Sequence, residues 1–342
     1  MIDIIKESLK YLFVSTLVSA LFAPILINIL YRFNQVSGIK KTKLGSREGT
    51  NSIFIRIMKT TQTNGTPNMG GILIWIVIPI ISYIFIPLSP QLHALLIGFL
   101  LFGFWGFIDV AIFTNGFKNN PKIKAMQETF EWRLGKLFFT ILLNIGVMYL
   151  LSTTNTFESI SLTSAITISI TPAVLILLSI VSQFAIYSGE LTDGLDGLMV
   201  GIFIIIVSAM IVLLIIQQRY EYLPFLAITL GVLLVDLYFN IPPARFWNGG
   251  PGAMPLAFAI FFIGLVTNNI LPYFFMTSIT WLIMLSSAIQ ILSMKFFKRR
   301  IFKIAPIHHH FQAIGWPHYK ITMRFWLFTF LACIVGIFVG LL

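Results

Sequence analysis

Residues Leu195–Ile216 read LDGLMVGIFIIIVSAMIVLLII, and Asp196 is the only charged residue among these 22. A helix needs about 20 predominantly apolar residues to cross the hydrocarbon core of a bilayer. The stretch therefore predicts a transmembrane helix. A second apolar run ends near Tyr187, so the polar residues between the two runs would connect consecutive membrane spans.

The composition of the whole chain agrees with a membrane protein. Of its 342 residues, 57% are hydrophobic and 10% are charged, and the mean hydropathy is +0.91. Soluble domains contain about 25% charged residues, so the composition excludes a large soluble domain. The single cysteine, Cys333, excludes a disulfide framework within the chain. The first apolar run is too long for a cleavable signal peptide, and we expect none.

Hydropathy along the chain predicts one all-α transmembrane domain over residues 1–342, with about ten membrane-spanning helices. The predicted spans are Leu12–Leu30, Gly70–Leu88, Leu92–Ile108, Leu134–Leu151, Ile166–Tyr187, Leu195–Ile216, Tyr222–Phe239, Gly252–Leu271, Tyr273–Phe297 and Ile321–Leu342.

The basic residues predict the orientation. Of the 23 Lys and Arg, all but Lys6, Lys10 and Arg219 lie in or beside alternate connecting segments. Such segments face the cytoplasm, which puts both termini outside. The predicted cytoplasmic loops are approximately residues 31–69, 109–133, 188–194, 240–251 and 298–320. The net charge of +11 follows this topology, so we expect no nucleic-acid binding.

Three of the twelve acids lie in one short segment, Glu190–Leu198, between two predicted spans. They are Glu190, Asp193 and Asp196. Acids at a membrane edge are costly and are candidates for function, and two Asp three residues apart can share one face of a helical turn. Capping of the next helix explains one Asp but not both. We therefore expect a functional role.

Two other acids lie at the predicted cytoplasmic ends of spans. Asp109 comes at the C-terminal end of the third span, where a negative charge opposes the helix dipole. Asp236 and Asn240 are four residues apart, which places them on the same face of the seventh span. Helix stability does not require either arrangement, and both indicate a binding or catalytic role.

Two further motifs lie in predicted cytoplasmic loops. The run Asn64-Gly-Thr-Pro-Asn-Met-Gly-Gly71 is a glycine-rich turn before a helix. Such turns expose N–H groups to anions, but they are also ordinary helix boundaries. His308, His309 and His310 are consecutive, so they cannot all point to one metal from a regular helix. We expect them to act on phosphate through hydrogen bonds and partial positive charge.

In their order along the chain, these motifs resemble the polyprenyl-phosphate N-acetylhexosamine-1-phosphate transferases. Three matches carry the resemblance: Gly65-Thr-Pro-Asn-Met-Gly-Gly71, Leu191-Thr-Asp-Gly-Leu-Asp-Gly-Leu198, and Pro306-Ile-His-His-His-Phe311 with Gly315-Trp-Pro317 and Arg324-Phe-Trp326. The third match is specific to the muramoyl-pentapeptide branch of the family. Ten spans with both termini outside are also the topology of this family, so the resemblance covers essentially the whole chain.

The resemblance implies a reaction in the bacterial cytoplasmic (inner) membrane. Phospho-N-acetylmuramoyl-pentapeptide would pass from UDP-MurNAc-pentapeptide to undecaprenyl phosphate, giving UMP and the first lipid intermediate of peptidoglycan synthesis. The implied cofactor is Mg²⁺, and the implied active site faces the cytoplasm. Membrane lipid would surround the protein, and the sequence leaves a monomer and a homodimer open.

The resemblance also implies roles for individual residues. The implied catalytic residues are Asp109, Asp193, Asp196, His308, His309 and His310. Asp193 and Asp196 are also the implied ligands of Mg²⁺. The implied substrate-binding residues are Lys59, Thr66, Gly194, Leu195, Asn240 and Trp247. Trp247 occupies the place of a Phe that stacks on uracil, and a larger aromatic ring can stack in the same way.

The chain departs from the family pattern at several charged positions. Val110 stands where a second Asp follows Asp109. The run Trp247-Asn248-Gly249-Gly250 stands where the family has Phe-Met-Gly-Asp, so Gly250 replaces a metal-binding Asp. Glu190 replaces an Asn. Thr63 replaces a Lys, for which Lys59 is the nearest substitute.

Three interpretations follow from the sequence. In the first, the protein is an active transferase in which Asp236 and Glu190 replace the lost metal ligands. In the second, it is a catalytically weakened paralogue that binds the nucleotide sugar or the polyprenyl phosphate. The third, a transporter or flippase, ranks last because the sequence shows no convincing internal repeat.

Overall fold

The computed structural model describes residues 2–32, 66–111, 130–154, 157, 159–163 and 166–342. These residues form twelve α-helices and one antiparallel hairpin of two strands. The helices are α1 Ile2–Arg32, α2 Ile72–Phe85, α3 Pro90–Val110, α4 Phe130–Ser152, α5 Pro172–Thr192, α6 Leu198–Ile216, α7 Leu223–Asn240, α8 Gly250–Val266, α9 Ile270–Met276, α10 Ser278–Phe296, α11 Ile307–Ala313 and α12 His318–Gly340. The strands are β1 Ser159–Thr163 and β2 Ile166–Ser169.

The predicted fold class, an all-α protein that crosses a membrane several times, is confirmed. Eight of the described helices are long and apolar enough to span a bilayer: α1, α3, α4, α5, α6, α7, α10 and α12. Two shorter apolar helices, α2 and α8, occupy the remaining two predicted spans. The small hairpin between α4 and α5 is the one β element within the described part of the chain.

Two predicted spans differ from the helices observed. Residues Ile166–Ser169 form β2, and the fifth span begins only at Pro172. Thr171 caps that start because its side chain accepts a hydrogen bond from Val174 N at 3.3 Å, and Pro is favoured in the first helical turn. The ninth span is divided at Thr277 into α9 and α10.

The prediction that residues 188–194 form a loop is wrong. Helix α5 continues to Thr192, and Asp193 is its C-cap residue. Glu190 therefore lies in the last turn of α5, and only the residues after Thr192 form the connection to α6. The predicted loop 298–320 likewise contains a short helix, α11, and the start of α12.

Helix α8 lies at the centre of the bundle. Every residue from Gly250 to Leu265 is buried, and α8 packs against α3, α5 and α2. The outer helices present large apolar side chains to the surroundings, for example Phe13 on α1 and Phe328 on α12. Exposed apolar faces of this kind are expected where a helix contacts lipid.

Chain direction defines two ends of the bundle. Helices α3, α5 and α7 end, and α6 and α8 begin, at one end, which we call the site end. Helices α6 and α8 terminate at the opposite end, which we call the far end. The predicted functional acids all belong to helix termini and turns at the site end.

Candidate active site

The connection between α7 and α8 is fixed to the start of α2. Residues Ala244–Gly249 of the connection between α7 and α8 are called the 244–249 segment below. Trp247 N donates to Pro67 O at 2.9 Å, and Gly70 N donates to Trp247 O at 2.8 Å. These two bonds have the pattern of a short strand pair, so the glycine-rich turn before α2 supports the segment through its backbone.

Asp193 and Asp196 both bind this same segment. The Oδ2 atom of Asp193 accepts a hydrogen bond from Gly249 N at 2.6 Å. The carboxylate of Asp196 accepts from Trp247 Nε1 at 3.0 Å and from Ala244 N at 3.2 Å. The two acids lie in the turn between α5 and α6 and do not share a helical face. Their common partner, the 244–249 segment, brings them together.

Asn240 connects the acid-rich turn to the segment from inside the bundle. Its Oδ1 accepts from Gly197 N at 2.9 Å, and its Nδ2 donates to Phe246 O at 2.7 Å. Asn240 is 1% exposed, so in this structure it positions the two loops. Its predicted contact with substrate stays a prediction.

Asp236 lies one helical turn before Asn240 on the same side of α7. Its Oδ1 accepts from Asn248 Nδ2 at 2.9 Å, and both residues are fully buried. Asp236 therefore contacts the 244–249 segment, as predicted from its position on α7, and the contact is made by Asn248. Its proposed use as a metal ligand stays a prediction.

Backbone fills position 250, where the resemblance implies a metal-binding Asp. Gly250 packs against Gly106 of α3, and a Cβ atom on Gly250 would lie 2.9 Å from Gly106 Cα. Gly249 has φ +64, a conformation that favours glycine, and it directs its N–H to Asp193. Neither residue has a side chain: the backbone of Gly249 binds Asp193, and the backbone of Gly250 packs against α3.

Asp109 is paired with a basic residue that the sequence patterns did not indicate. Lys136 Nζ lies 2.6 Å from Asp109 Oδ1, and the two side chains are 23% and 13% exposed. Glu190, in the last turn of α5, lies within electrostatic range of both and of Asp193. A lysine near the start of an apolar helix is itself a functional signal, and it could have singled out Lys136.

The rings of His308 and His309 lie against each other, with 4.3 Å between their centroids, whereas His308 and His310 contact different parts of the structure. His308 is fully buried and lies directly against Gly194, which has no room for a side chain. His310 Nδ1 accepts from the backbone N–H of Lys303 at 3.1 Å, on another side of α11. The expectation that the three histidines do not share one metal stays a prediction.

A fourth histidine joins this cluster through a shared glutamine. His309 Nδ1 lies 2.5 Å from Gln312 Oε1, and Gln312 Nε2 lies 2.6 Å from His318 Nε2. Sequence reasoning did not select His318, although it was visible as one of four histidines in the last predicted loop. The Gln312 bridge appears only when α11 folds back against α12.

Burial sets the ionisation of the groups that lie outside the spans. Burial raises the pKa of Asp193 to about 6, with a smaller contribution from the charge of Asp196 and an opposing one from Gly249 N–H. Burial also lowers the pKa of His308 and His309. Burial therefore favours the neutral form of both rings, whereas a phosphate beside them would favour their protonated form.

The structure gathers most of the other predicted residues at the same place. Leu195 is buried in the turn between the two acids, and Thr66 Oγ1 lies 3.5 Å from the carbonyl oxygen of Ala244. Lys59 lies outside the described residues. Within the described ranges, no group of three or more His, Cys, Asp or Glu side chains forms a complete metal cage.

The chain is similar to known proteins over most of its length. Residues 92–268 match the model of the family described as glycosyl transferase family 4. The chain is similar to the phospho-N-acetylmuramoyl-pentapeptide-transferase of Acetivibrio thermocellus, with 31% identity over 81% of this chain and 82% of the relative. It is 29% identical to the protein of that name from Staphylococcus aureus, over 96% of this chain and 98% of the relative. The Bacillus pumilus protein of that name is 28% identical, over 94% of each chain.

Proposed function

Because the chain belongs to glycosyl transferase family 4, we propose that it transfers phospho-N-acetylmuramoyl-pentapeptide from its UDP derivative to undecaprenyl phosphate. A phosphate oxygen of the lipid attacks the phosphorus attached to the sugar. A new P–O bond forms as the bond to UMP breaks, so no water or further reactant is consumed. The products are UMP and the first lipid intermediate of peptidoglycan synthesis.

One observation supports this proposal above the others. Asp193 and Asp196 bind the same 244–249 segment, and His308 lies against Gly194 between them in sequence. Carboxylates, an indole and an imidazole thus converge at one end of the bundle. This set suits a nucleotide diphosphate, which needs a cation, an aromatic surface and hydrogen-bond donors.

We assign Mg²⁺ to Asp193 and Asp196, with Glu190 as a further candidate. The donor set fits this ion, because Mg²⁺ is usually held by one or two carboxylates together with substrate phosphates and water. A complete protein cage is therefore not required. When bound, Mg²⁺ would neutralise charge on the pyrophosphate.

The protein's own side chains position the reactants. The hydrogen bond to Asp196 fixes the Trp247 indole, whose ring can then stack on uracil. His308 can donate a hydrogen bond to phosphate from its place beside Gly194. Phosphoryl transfer depends mainly on such positioning and on charge stabilisation, so the two anionic substrates are the groups that the site must bring together.

The proposed location is the bacterial cytoplasmic membrane, with the site end facing the cytoplasm. The basic residues of the connecting segments support this orientation. They would also attract the anionic nucleotide sugar. Membrane lipid surrounds the helices, and undecaprenyl phosphate would reach the site from within the bilayer.

A second candidate function is binding of the nucleotide sugar or the polyprenyl phosphate with little turnover. The contact between Gly250 and Gly106 favours it, because backbone fills the place of a family metal ligand. Val110 stands where the resemblance implies a second acid, so the site has two carboxylates fewer than the family pattern. The substrate classes would be unchanged.

The test is a turnover assay on purified full-length protein in lipid nanodiscs. UDP-MurNAc-pentapeptide and undecaprenyl phosphate are supplied with and without Mg²⁺, and UMP is measured. The matched control for acid removal is Asp3→Asn, an exposed acid at the start of α1. Mg²⁺-dependent UMP release supports transfer, and binding without UMP supports the second function. Absence of both binding and release would overturn both.

A further inference from the structure

Asp236 and Asn248 form a polar pair in an apolar part of the bundle. Both side chains are 0% exposed, and Asn248 Nδ2 donates to Asp236 Oδ1 at 2.9 Å. Within the part of the chain that the structure describes, Asp236 Oδ2 and Asn248 Oδ1 are buried without a hydrogen-bond partner. An unsatisfied buried polar group is destabilising, so a pair with two such atoms requires an explanation.

Asn248 stands between the two residues that bind the acids. Trp247 donates its indole N–H to Asp196, and Gly249 donates its backbone N–H to Asp193. The backbone oxygen of Asn248 also accepts from Gly71 N at 3.1 Å. The side chain of Asn248 therefore attaches the 244–249 segment to the interior of the bundle, between the two residues that contact Asp193 and Asp196.

We propose that Asp236 is a positioning residue. Through Asn248 it holds the 244–249 segment in register, so that Gly249 N–H meets Asp193 and the indole of Trp247 meets Asp196. In this role Asp236 acts by hydrogen bonding and does not ligate a metal. The consequence for catalysis rests on the proposed function, whereas the positioning itself does not.

Hydrogen-bond chemistry supports this role over one that needs a negative charge. An ionised Asp236 has no donor, so it cannot satisfy Asn248 Oδ1. If Asp236 carries a proton on Oδ2 and donates it to Asn248 Oδ1, both missing bonds form at once. The result is a reciprocal acid–amide pair, and such a pair requires that Asp236 be neutral.

The far end of the bundle contains a reciprocal pair for comparison. Gln217 Nε2 donates to Asn269 Oδ1 at 2.9 Å, and Asn269 Nδ2 donates to Gln217 Oε1 at 2.8 Å. This amide–amide pair joins helix ends remote from the acids. Asn at position 236 could make the same two bonds with Asn248.

The pair lies beside a position where the chain departs from the family pattern that the resemblance implies. Asn248 stands at the Met of the Phe-Met-Gly-Asp run that the resemblance aligns here, in a chain that has lost the Asp of that run at Gly250. The buried polar side chain of Asn248 therefore lies two residues before Gly250, whose backbone packs against Gly106 of α3.

The test compares three variants by hydrogen–deuterium exchange of the full-length protein in nanodiscs. Asp236→Asn retains both bonds and should leave exchange of residues 244–249 within about twofold of the wild type. Asp236→Leu leaves Asn248 unpaired and should speed that exchange about tenfold. The double variant Asp236→Leu/Asn248→Met removes the unpaired amide. It should fold even if Asp236→Leu does not, and it should still exchange faster than the wild type.

A second readout separates positioning from metal binding. The half-saturating Mg²⁺ concentration and the affinity for UMP are measured for the same variants, with Gln217→Leu as the control for loss of a partly buried polar pair. We expect Asp236→Asn to match the wild type in both. Gln217→Leu should lower the melting temperature without changing exchange at residues 244–249.

Two outcomes would overturn the inference. Asp236→Asn raising the half-saturating Mg²⁺ concentration about as much as Asp193→Asn would show that the charge of Asp236 is required. Unchanged exchange at residues 244–249 in both Leu-containing variants would show that the pair positions nothing. The exchange measurement needs no turnover, so failure of the proposed transfer and failure of this inference are distinguishable.

Discussion

Both ends of α6 are surrounded by polar side chains, but these side chains have different partners at the two ends. At the far end, Gln217 and Asn269 exchange two hydrogen bonds, Gln217 also donates to Gly340 O, and Arg219 donates to Thr267 O. At the site end, the polar side chains include acids and histidines as well as amides. Within the described residues, Asp236 Oδ2, Asn248 Oδ1 and both ring nitrogens of His308 are buried without a partner.

This difference separates polar groups that join helices from polar groups arranged for a ligand. Amides at the far end satisfy helix ends and one another, which is how buried polar groups stabilise a bundle. Asp193 and Asp196 at the site end accept hydrogen bonds from backbone N–H groups of the 244–249 segment. Burial at that end raises the pKa of Asp193. The acids and His308 at the site end are therefore less completely hydrogen-bonded than the amides Gln217 and Asn269 at the far end.

The largest effect is expected from restoring the family acid at the site end. Gly250→Asp should prevent correct folding, because a side chain there meets the backbone of Gly106 and overpacking adds to burial of a charge. The yield of monodisperse protein and its melting temperature are the measurements. Val110→Asp is the matched control, since Val110 is half-buried at the end of α3 and should fold. A folded Gly250→Asp with higher turnover would show that the site tolerates the lost ligand.

The next largest effect is expected at the acid nearest the segment. Asp193→Asn should lower the rate of UMP release by at least about a hundredfold, because metal and phosphate charge would lose a carboxylate worth several kcal/mol. The Asp3→Asn protein serves as the control for removal of an acid. A decrease in the rate of UMP release of less than about threefold would show that Asp193 is not a metal ligand, and it would weaken the contrast between the two ends.

A smaller effect is expected where Lys136 compensates two acids. Lys136→Gln should destabilise the protein by about 1–3 kcal/mol, because Asp109 and Glu190 would be left as partly buried like charges. Adding Glu190→Gln should recover part of the lost melting temperature. A double-mutant cycle measures this coupling. Additive losses would show that Glu190 does not interact with Lys136.

The smallest effect is expected at the far end. Gln217→Leu should cost about 1 kcal/mol, the usual scale of a hydrogen bond between membrane helices. UMP release per folded molecule should stay unchanged, because the pair is at the opposite end of α6 from the acids. Thermal unfolding and turnover are measured on the same sample. A selective loss of turnover would contradict the division between the two ends.

Much of the site could be predicted from local sequence, and some of it could not. The acid-rich turn, the glycine-rich turn before α2 and the histidine run were each visible as short motifs. Lys136 was not, because its partner Asp109 belongs to another helix. The extension of α5 through Glu190 was predicted wrongly, since the acid-rich run resembles a loop in composition, whereas α5 packs against α8 up to that point.

The sequence by itself determined the membrane fold and predicted which end of the bundle carries the candidate site. Bilayer thickness fixes the length of an apolar helix, and the cost of buried charge confines acids to helix ends or to functional positions. Only the tertiary structure decided what each acid binds. Asp193 meets Gly249 across 56 residues and Asp196 meets Trp247 across 51. Such contacts depend on helix packing and on the path of the α7–α8 connection, and neither is written in local sequence.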